Sequence, residues 1–307
     1  MTWLARVRGA LLAFVIPCSL CASIGMTSGQ VPYSSRGSDE LLALLKRMEV
    51  SRRANEDISA LYTYDGTLNC KTYDTKGTLK REESQKWVTF TLDGVTYRRI
   101  VEENGRPLSE KKQIAEQKRS DQTGKLGKDY DFIFQFIGLN PRDYIYSDLP
   151  VSYLDTLFDN RLIGHEIIDG RDNLVIESTP NTDAHPGNDR AKSALDWREK
   201  TWIDVEDAVP SRYDIELLNK RDYLQKGSTF SVEFTRLPIT ESGNSRLPSK
   251  VWLIQTENYR LLCRILWEKS SGICEHHFYN YKKVRADEHV VEDSVRELPA
   301  TGAGKQP

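Results

Sequence analysis

From about residue 61 to residue 284 the chain runs in short stretches where apolar and polar residues take turns. In Tyr213-Asp214-Ile215-Glu216-Leu217 and Phe230-Ser231-Val232-Glu233-Phe234 the alternation is complete. A period of two gives a strand one apolar face and one wet face. Similar stretches occupy 162–170, 173–177, 200–207, 211–218 and 228–234. They are rich in β-branched and aromatic residues and stop at Gly, Pro, Asn or Asp, as the strands of an antiparallel meander do. Upstream, 61–71 and 78–92 flank the turn Asp74-Thr75-Lys76-Gly77. The end of the second run meets 97–102 through Asp93-Gly94, a strong hairpin signal. Three closing strands are predicted at 251–256, 259–267 and 274–284.

Helical spacing appears in few places. Ser38 stands as an N-cap before Asp39 and Glu40, whose charges suit the positive end of a helix. Leu41, Leu42, Leu44, Leu45 and Met48 then form a stripe running to about Ala54. Such a helix serves equally as a lid over an apolar sheet face or as a core-packing element. Ser109 caps a charged helix over 110–120, which has almost no apolar residue beyond Ile114 and Ala115 and reads as a solvated excursion. The stretch 130–137 is densely apolar and fits helix or buried strand, while 151–158 suits one short helix. Residues 179–197, with Pro180, Pro186 and Gly187, form the longest irregular run.

These elements predict a mainly β (α+β) fold. It is a single curved antiparallel sheet of about eleven strands, a half-open barrel with an N-terminal helix and short lid helices. Before the fold begins, Arg6 and Arg8 precede an apolar run of Ala10 to Ile16 and small residues up to Gly29. This is the pattern of a signal peptide. The apolar run is much shorter than the roughly 20 residues a membrane helix needs. Residues 1–30 are therefore read as a cleaved export signal, with an uncleaved anchor as the alternative. Cys18 and Cys21 lack the Leu-small-small sequence expected before an acylated cysteine, so lipid anchoring is the less favoured state. The remaining plan is one domain over 31–285 and a polar, disordered tail over 286–307.

The chain has 307 residues, 38% hydrophobic and 29% charged, enough apolar material for a core. Its formal charge is −2, near −4 once Arg6 and Arg8 leave, so nothing draws it to nucleic acid. Of five cysteines, Cys70, Cys263 and Cys274 follow the signal. In an oxidising compartment one disulfide can form and one thiol is left over, and spacing does not select the pair.

Candidate chemistry is sparse. His276 and His277 are adjacent, so a strand points them to opposite faces and away from a shared metal. Asp204, Glu206 and Asp207 flank Trp202, and Asp204 and Glu206 read as the wet side of a strand. The chain has no nucleophile elbow, zinc-protease helix, phosphate loop or dinucleotide fingerprint. No cofactor, metal or catalytic residue is expected. A sheet that curls turns its apolar face into a concavity suited to acyl chains. Its candidate lining is Ile203, Val205, Tyr213, Ile215, Leu217, Phe230, Val232, Phe234, Ile254 and Trp267; the same residues would also serve as plain core.

Three stretches carry a resemblance. They are Val95-Thr96-Tyr97-Arg98-Arg99-Ile100-Val101 with Asn104-Gly105-Arg106-Pro107-Leu108-Ser109, then Ile167-Ile168-Asp169-Gly170-Arg171, then Thr201-Trp202-Ile203-Asp204. Over about 41–284 the chain resembles the periplasmic lipoprotein-carrier superfamily (LolA/LolB-like), especially its longer outer membrane lipoprotein-sorting relatives. The resemblance implies an unclosed barrel of about eleven strands with lid helices, holding lipoprotein acyl chains in its concavity. No functional residue of that family maps onto a position here. The expectation is an exported, non-enzymatic periplasmic carrier whose partner is a lipoprotein or another lipid-like apolar ligand. It is neither an integral membrane protein nor a nucleic-acid binder. The alternatives are an envelope scaffold binding another protein by its sheet edge or open face, and a hydrolase built at the barrel mouth.

Overall fold

The structure is a computed structural model, and it describes residues 39–92, 95–123, 156–221, 223–239, 249–265 and 268–284. Helix α1 (Asp39–Ser59) comes first, followed by β1 (Tyr62–Tyr73), β2 (Leu79–Leu92), β3 (Val95–Glu103) and the two-residue β4 (Arg106–Pro107). Helix α2 (Glu110–Thr123) precedes β5 (Phe158–Ile168) and β6 (Arg171–Pro180). A short helix α3 (Asp189–Ala194) leads to β7 (Trp197–Asp204), β8 (Pro210–Leu217) and β9 (Thr229–Pro238). The long strands β10 (Lys250–Ile265) and β11 (Glu268–Lys283) close the series.

All eleven strands join one sheet in the order β4-β3-β2-β1-β11-β10-β9-β8-β7-β6-β5. The register pairs are antiparallel throughout, and the two end strands do not pair with each other. The sheet is therefore open, as the alternating pattern predicts. Local turns set its hairpins. Asn104 and Gly105 (φ 52° and 70°), and Asp169 and Gly170 (φ 49° and 75°), supply the paired positive φ that a tight two-residue turn demands.

Register gathers the apolar residues on one face. Ile215 lies opposite Phe230, Phe230 opposite Tyr259, Tyr259 opposite Cys274, and Cys274 opposite Cys70. The last two are bridged as a disulfide, tying β1 to β11, and Cys263 is the free thiol. Leu68, Trp87, Trp197, Leu217, Leu261 and Phe278 join this row to make the main core cluster. Trp87 reaches its place because Gly66, directly opposite, has no side chain; a Cβ there would stand 2.3 Å from the indole.

Several elements differ from their sequence reading. The two strands expected at 251–256 and 259–267 are one strand, β10, bent by a register shift between Ile254 and Thr256. Glu257 and Asn258 look like a turn but stay in the ladder, with Glu257 buried on the core face. The count of eleven survives because Arg106–Pro107 adds β4. The irregular run 179–197 contains α3, capped by the Asn188 side chain, which accepts from the Ala191 N–H at 2.8 Å. Ala191 and Ala194 pack on Leu157 and Phe158. The expectations for 130–137, most of 151–158, the signal and the tail lie outside the described residues.

Helix α2 is largely exposed, as its composition predicts, but it is not free of the sheet. Its Glu116 carboxylate accepts from the Ile100 N–H at 2.8 Å, beside the point where β4 runs out. A side chain thus occupies part of an edge that would otherwise present unpaired donors.

Candidate functional site

Helix α1 lies on the core face of the sheet, and its two halves do different things. Leu41, Leu45 and Met48 pack on Ile176 of β6 and Ile203 of β7. One turn further the same stripe presents Glu49 and Arg52, both more than nine-tenths buried. Arg52 Nη2 donates to Glu49 Oε2 at 2.8 Å, and Arg52 Nη1 donates to Glu56. Burial opposes the guanidinium charge, yet its hydrogen bond to Glu49 and the nearby carboxylates leave its pKa above the ordinary value. Asn55 then docks the end of the helix. Pairing between β10 and β11 stops at Thr256–His277, while β11 goes on along β1. In the gap the Asn55 amide donates to the Trp252 carbonyl and accepts from the Trp252 N–H, each at 2.8 Å.

Between α1 and the sheet lies a small cavity lined by Leu45, Met48, Glu49, Arg52, Asn160, Ile176, Ser178, Glu199, Thr201 and Tyr213. Its volume is about 20 Å³, where one water takes roughly 10–15 Å³ by the same measure. Seven of the ten residues of this lining carry a polar or charged group. Glu199 is its most unusual member. It stands on the core face of β7, opposite Ile215, and is 3% exposed. The Thr201 hydroxyl donates to its Oε1, and among the described residues nothing bonds to its Oε2. Burial pushes the carboxyl up to about 8, against a smaller downward pull from Thr201, so at neutral pH it is mostly protonated. Tyr213, facing the same space, has its phenol pushed up by burial and then by Glu199.

Nine of the ten predicted lining residues lie among the described residues. Ile215, Leu217 and Phe230 belong to the main core cluster, and Ile254 packs against it. Ile203 lies under α1, in the smaller cluster. Tyr213 lines the cavity and meets the Phe234 ring edge-on at 5.9 Å, beside buried Val232. Val205 is 37% exposed, because β7 ends at Asp204 and the next residues turn. Trp267 lies outside the described residues.

Two of the motif stretches meet in space. Arg171, after the Asp169-Gly170 turn, donates from Nε and Nη2 to the two oxygens of Asp204, the latter at 2.6 Å. That fork raises the Arg171 pKa, with Glu206 and Asp207 adding to it. Asp204 is fully buried, not on the wet side, and it also accepts from the Asp207 N–H. Asp207 in turn accepts from Arg236 Nε and Trp252 Nε1, at 2.7 and 3.0 Å. The carboxylates flanking Trp202 are thus committed to a structural ion-pair network.

A second polar island lies within the aromatic cluster. Tyr259 donates to Glu257, and His276 Nδ1 stands 3.3 Å from the same carboxylate, at ion-pair distance without hydrogen-bond geometry. His276 is buried and His277 exposed, on opposite faces as expected of strand neighbours. Among the described residues no group of three or more His, Cys, Asp or Glu can hold a metal ion. No described helix is long and apolar enough to cross a membrane.

No family model and no curated protein matches this chain. Solved structures do. A DUF1329 family protein from Desulfovibrio piger shares 15% identity with it, covering 86% of this chain and 98% of that one, at a TM-score of 0.32. A LolA superfamily protein from Nitrosomonas europaea shares 9%, covering 79% and 92%, at 0.26. An outer membrane lipoprotein-sorting protein domain from Vibrio parahaemolyticus shares 9%, covering 84% and 97%, at 0.31. The open eleven-stranded sheet with its N-terminal helix is seen directly in this chain's own strand order.

Sequence reasoning passed over Glu199, Arg52 and Asn55. A signal for the helix pair was present: 41, 45, 48, 52 and 55 follow one helical face, so the stripe continues in polar letters past Met48. Glu199 sits at period two between Trp197 and Thr201, hidden in the charged run Arg198-Glu199-Lys200.

Proposed function

We propose that this chain is an exported, non-enzymatic binding protein of the cell envelope that shields an apolar ligand, an acyl chain above all, on the inner face of its open sheet. In this reading residues 1–30 are removed on export to the periplasm, 31–285 form the binding domain and 286–307 are a tail. One observation supports it most. An aromatic and aliphatic cluster spans seven strands, and α1, the helix seated on β6 and β7, is held over half its length by polar contacts. Buried ion pairs add little net stability, so that half of α1 is the part best suited to lift. Each buried methylene of an acyl chain contributes about 0.8 kcal/mol, enough for a long chain to replace the lost helix contacts. The lining would be the Ile215–Phe230–Tyr259 row with Leu217, Val232 and Ile254. The test is a titration of the mature chain with pyrene: saturable uptake, displaced by monopalmitoylglycerol, is expected, and absence of uptake contradicts the reading.

A second reading rests on a different feature. Strand β5 ends the sheet, and its Ile163 and Ile167 are 39% and 66% exposed. An envelope scaffold would add a partner's strand there. Capture of one stoichiometric partner, lost in Ile167→Lys, would favour it over the carrier.

A further inference from the structure

We propose that the cavity beneath α1 is a subsite for an uncharged hydrogen-bond acceptor, the ester or amide carbonyl of an acylated ligand, with Glu199 Oε2 as the donor that reads it. The proposal rests on the carrier reading and adds the chemistry of the ligand's polar end. Glu199 is 97% buried by its 3% exposure, and among the described residues its Oε2 has no hydrogen-bond partner although it lines a cavity with room for one polar atom. Its other oxygen is already taken by the Thr201 hydroxyl. With the carboxyl pushed up to about 8 by burial, Oε2 at neutral pH carries a proton and needs an acceptor. A buried donor left unmatched is costly, so a ligand that supplies the acceptor is selected over one that does not.

Charge decides against an anionic end. The charged and titratable groups that share the cavity with Glu199 are Glu49 and Arg52 from α1 and Tyr213 from β8; Glu56, the second partner of Arg52, is half exposed. Arg52 is already paired to Glu49 and Glu56, and Arg53 to Glu49, so these cations are committed and a carboxylate brought here would be buried without a counter-charge of its own. The apolar row begins at the same point. Glu199 is opposite Ile215, and from there the directly opposed residues run through Phe230, Tyr259 and Cys274 to Cys70. Six strands at roughly 4.8 Å spacing give a track of about 24 Å, the scale of a long acyl chain. A carbonyl at Glu199 therefore leaves the tail lying along the row.

The test uses the mature chain with four probes: monopalmitoylglycerol, its isotope-labelled ester carbonyl followed by infrared; palmitoyl ethanolamide; palmitate; and pyrene, which has no acceptor. The ester and amide carbonyl bands should move to lower frequency on binding, and palmitate should bind more weakly than the ester at neutral pH. Glu199→Ala should weaken ester and amide binding about tenfold and leave pyrene unchanged. Glu199→Gln, which keeps an N–H donor, should restore both affinity and band shift. If ester and pyrene bind but the carbonyl band does not move and Glu199→Ala binds the ester as well as wild type, the subsite is overturned and the carrier stands. A fixed band in wild type overturns it even if Glu199→Ala fails to fold. If no probe binds, the carrier reading falls and the subsite with it.

Discussion

Replacing Glu199 by Gln should stabilise the protein, and by more the higher the pH. The carboxyl titrates near 4.5 in the unfolded chain and at about 8 in the fold. Below 4.5 both states hold the proton and burial carries no ionisation penalty. Between 4.5 and about 8 the unfolded chain releases a proton that the folded one keeps, so stability falls as pH rises. Above 8 the penalty is complete. At 1.36 kcal/mol per pKa unit the full loss is about 5 kcal/mol, and about 3 kcal/mol is already lost at pH 7. The glutamine keeps the acceptor for Thr201 and carries no titrating proton. Urea unfolding of both proteins at pH 4.5, 6, 7 and 8.5, with the disulfide intact, gives the difference directly. The gap should be near zero in acid and widen through this window. Equal slopes for the two proteins would refute the claim that Glu199 is held protonated by burial.

Three further outcomes follow from the packing. Arg171→Ala leaves the fully buried Asp204 carboxylate without its fork and should cost about 3–5 kcal/mol in urea unfolding, with Asp204→Asn recovering part of it in the double variant. Cys70→Ser with Cys274→Ser should lower stability by about 2–5 kcal/mol, whereas Cys263→Ser should leave the sensitivity to reductant unchanged. Gly66→Ala places a Cβ against the Trp87 ring and the His277 carbonyl, and should cost about 1–3 kcal/mol with a change in tryptophan emission.

Much of the sheet was legible because its signals are local. Period-two runs such as Tyr213 to Leu217 mark strands, and Asp-Gly or Asn-Gly pairs mark hairpins wherever the turn needs two positive φ angles. What misled was polarity read without its partner. Asp204 looks wet until Arg171, brought alongside by the β6–β7 pairing, takes both its oxygens. Glu257 and Asn258 look like a turn until the ladder on both sides holds them in β10. Alternation does not say which core each apolar residue joins: Ile215, Leu217 and Phe230 enter the main cluster, Ile203 lies under α1, and Val205 follows the end of β7. Which cysteines pair depends on β1 lying beside β11, a contact across 204 residues that spacing does not encode.

On the proposed reading, the inner face of this sheet holds a guest. Native mass spectrometry of the chain isolated from its own cell envelope without detergent tests it most directly. We expect a species heavier than the mature polypeptide by one acylated molecule, which organic extraction releases. A single mass equal to the bare polypeptide, together with no uptake of added acyl ligand, would contradict it.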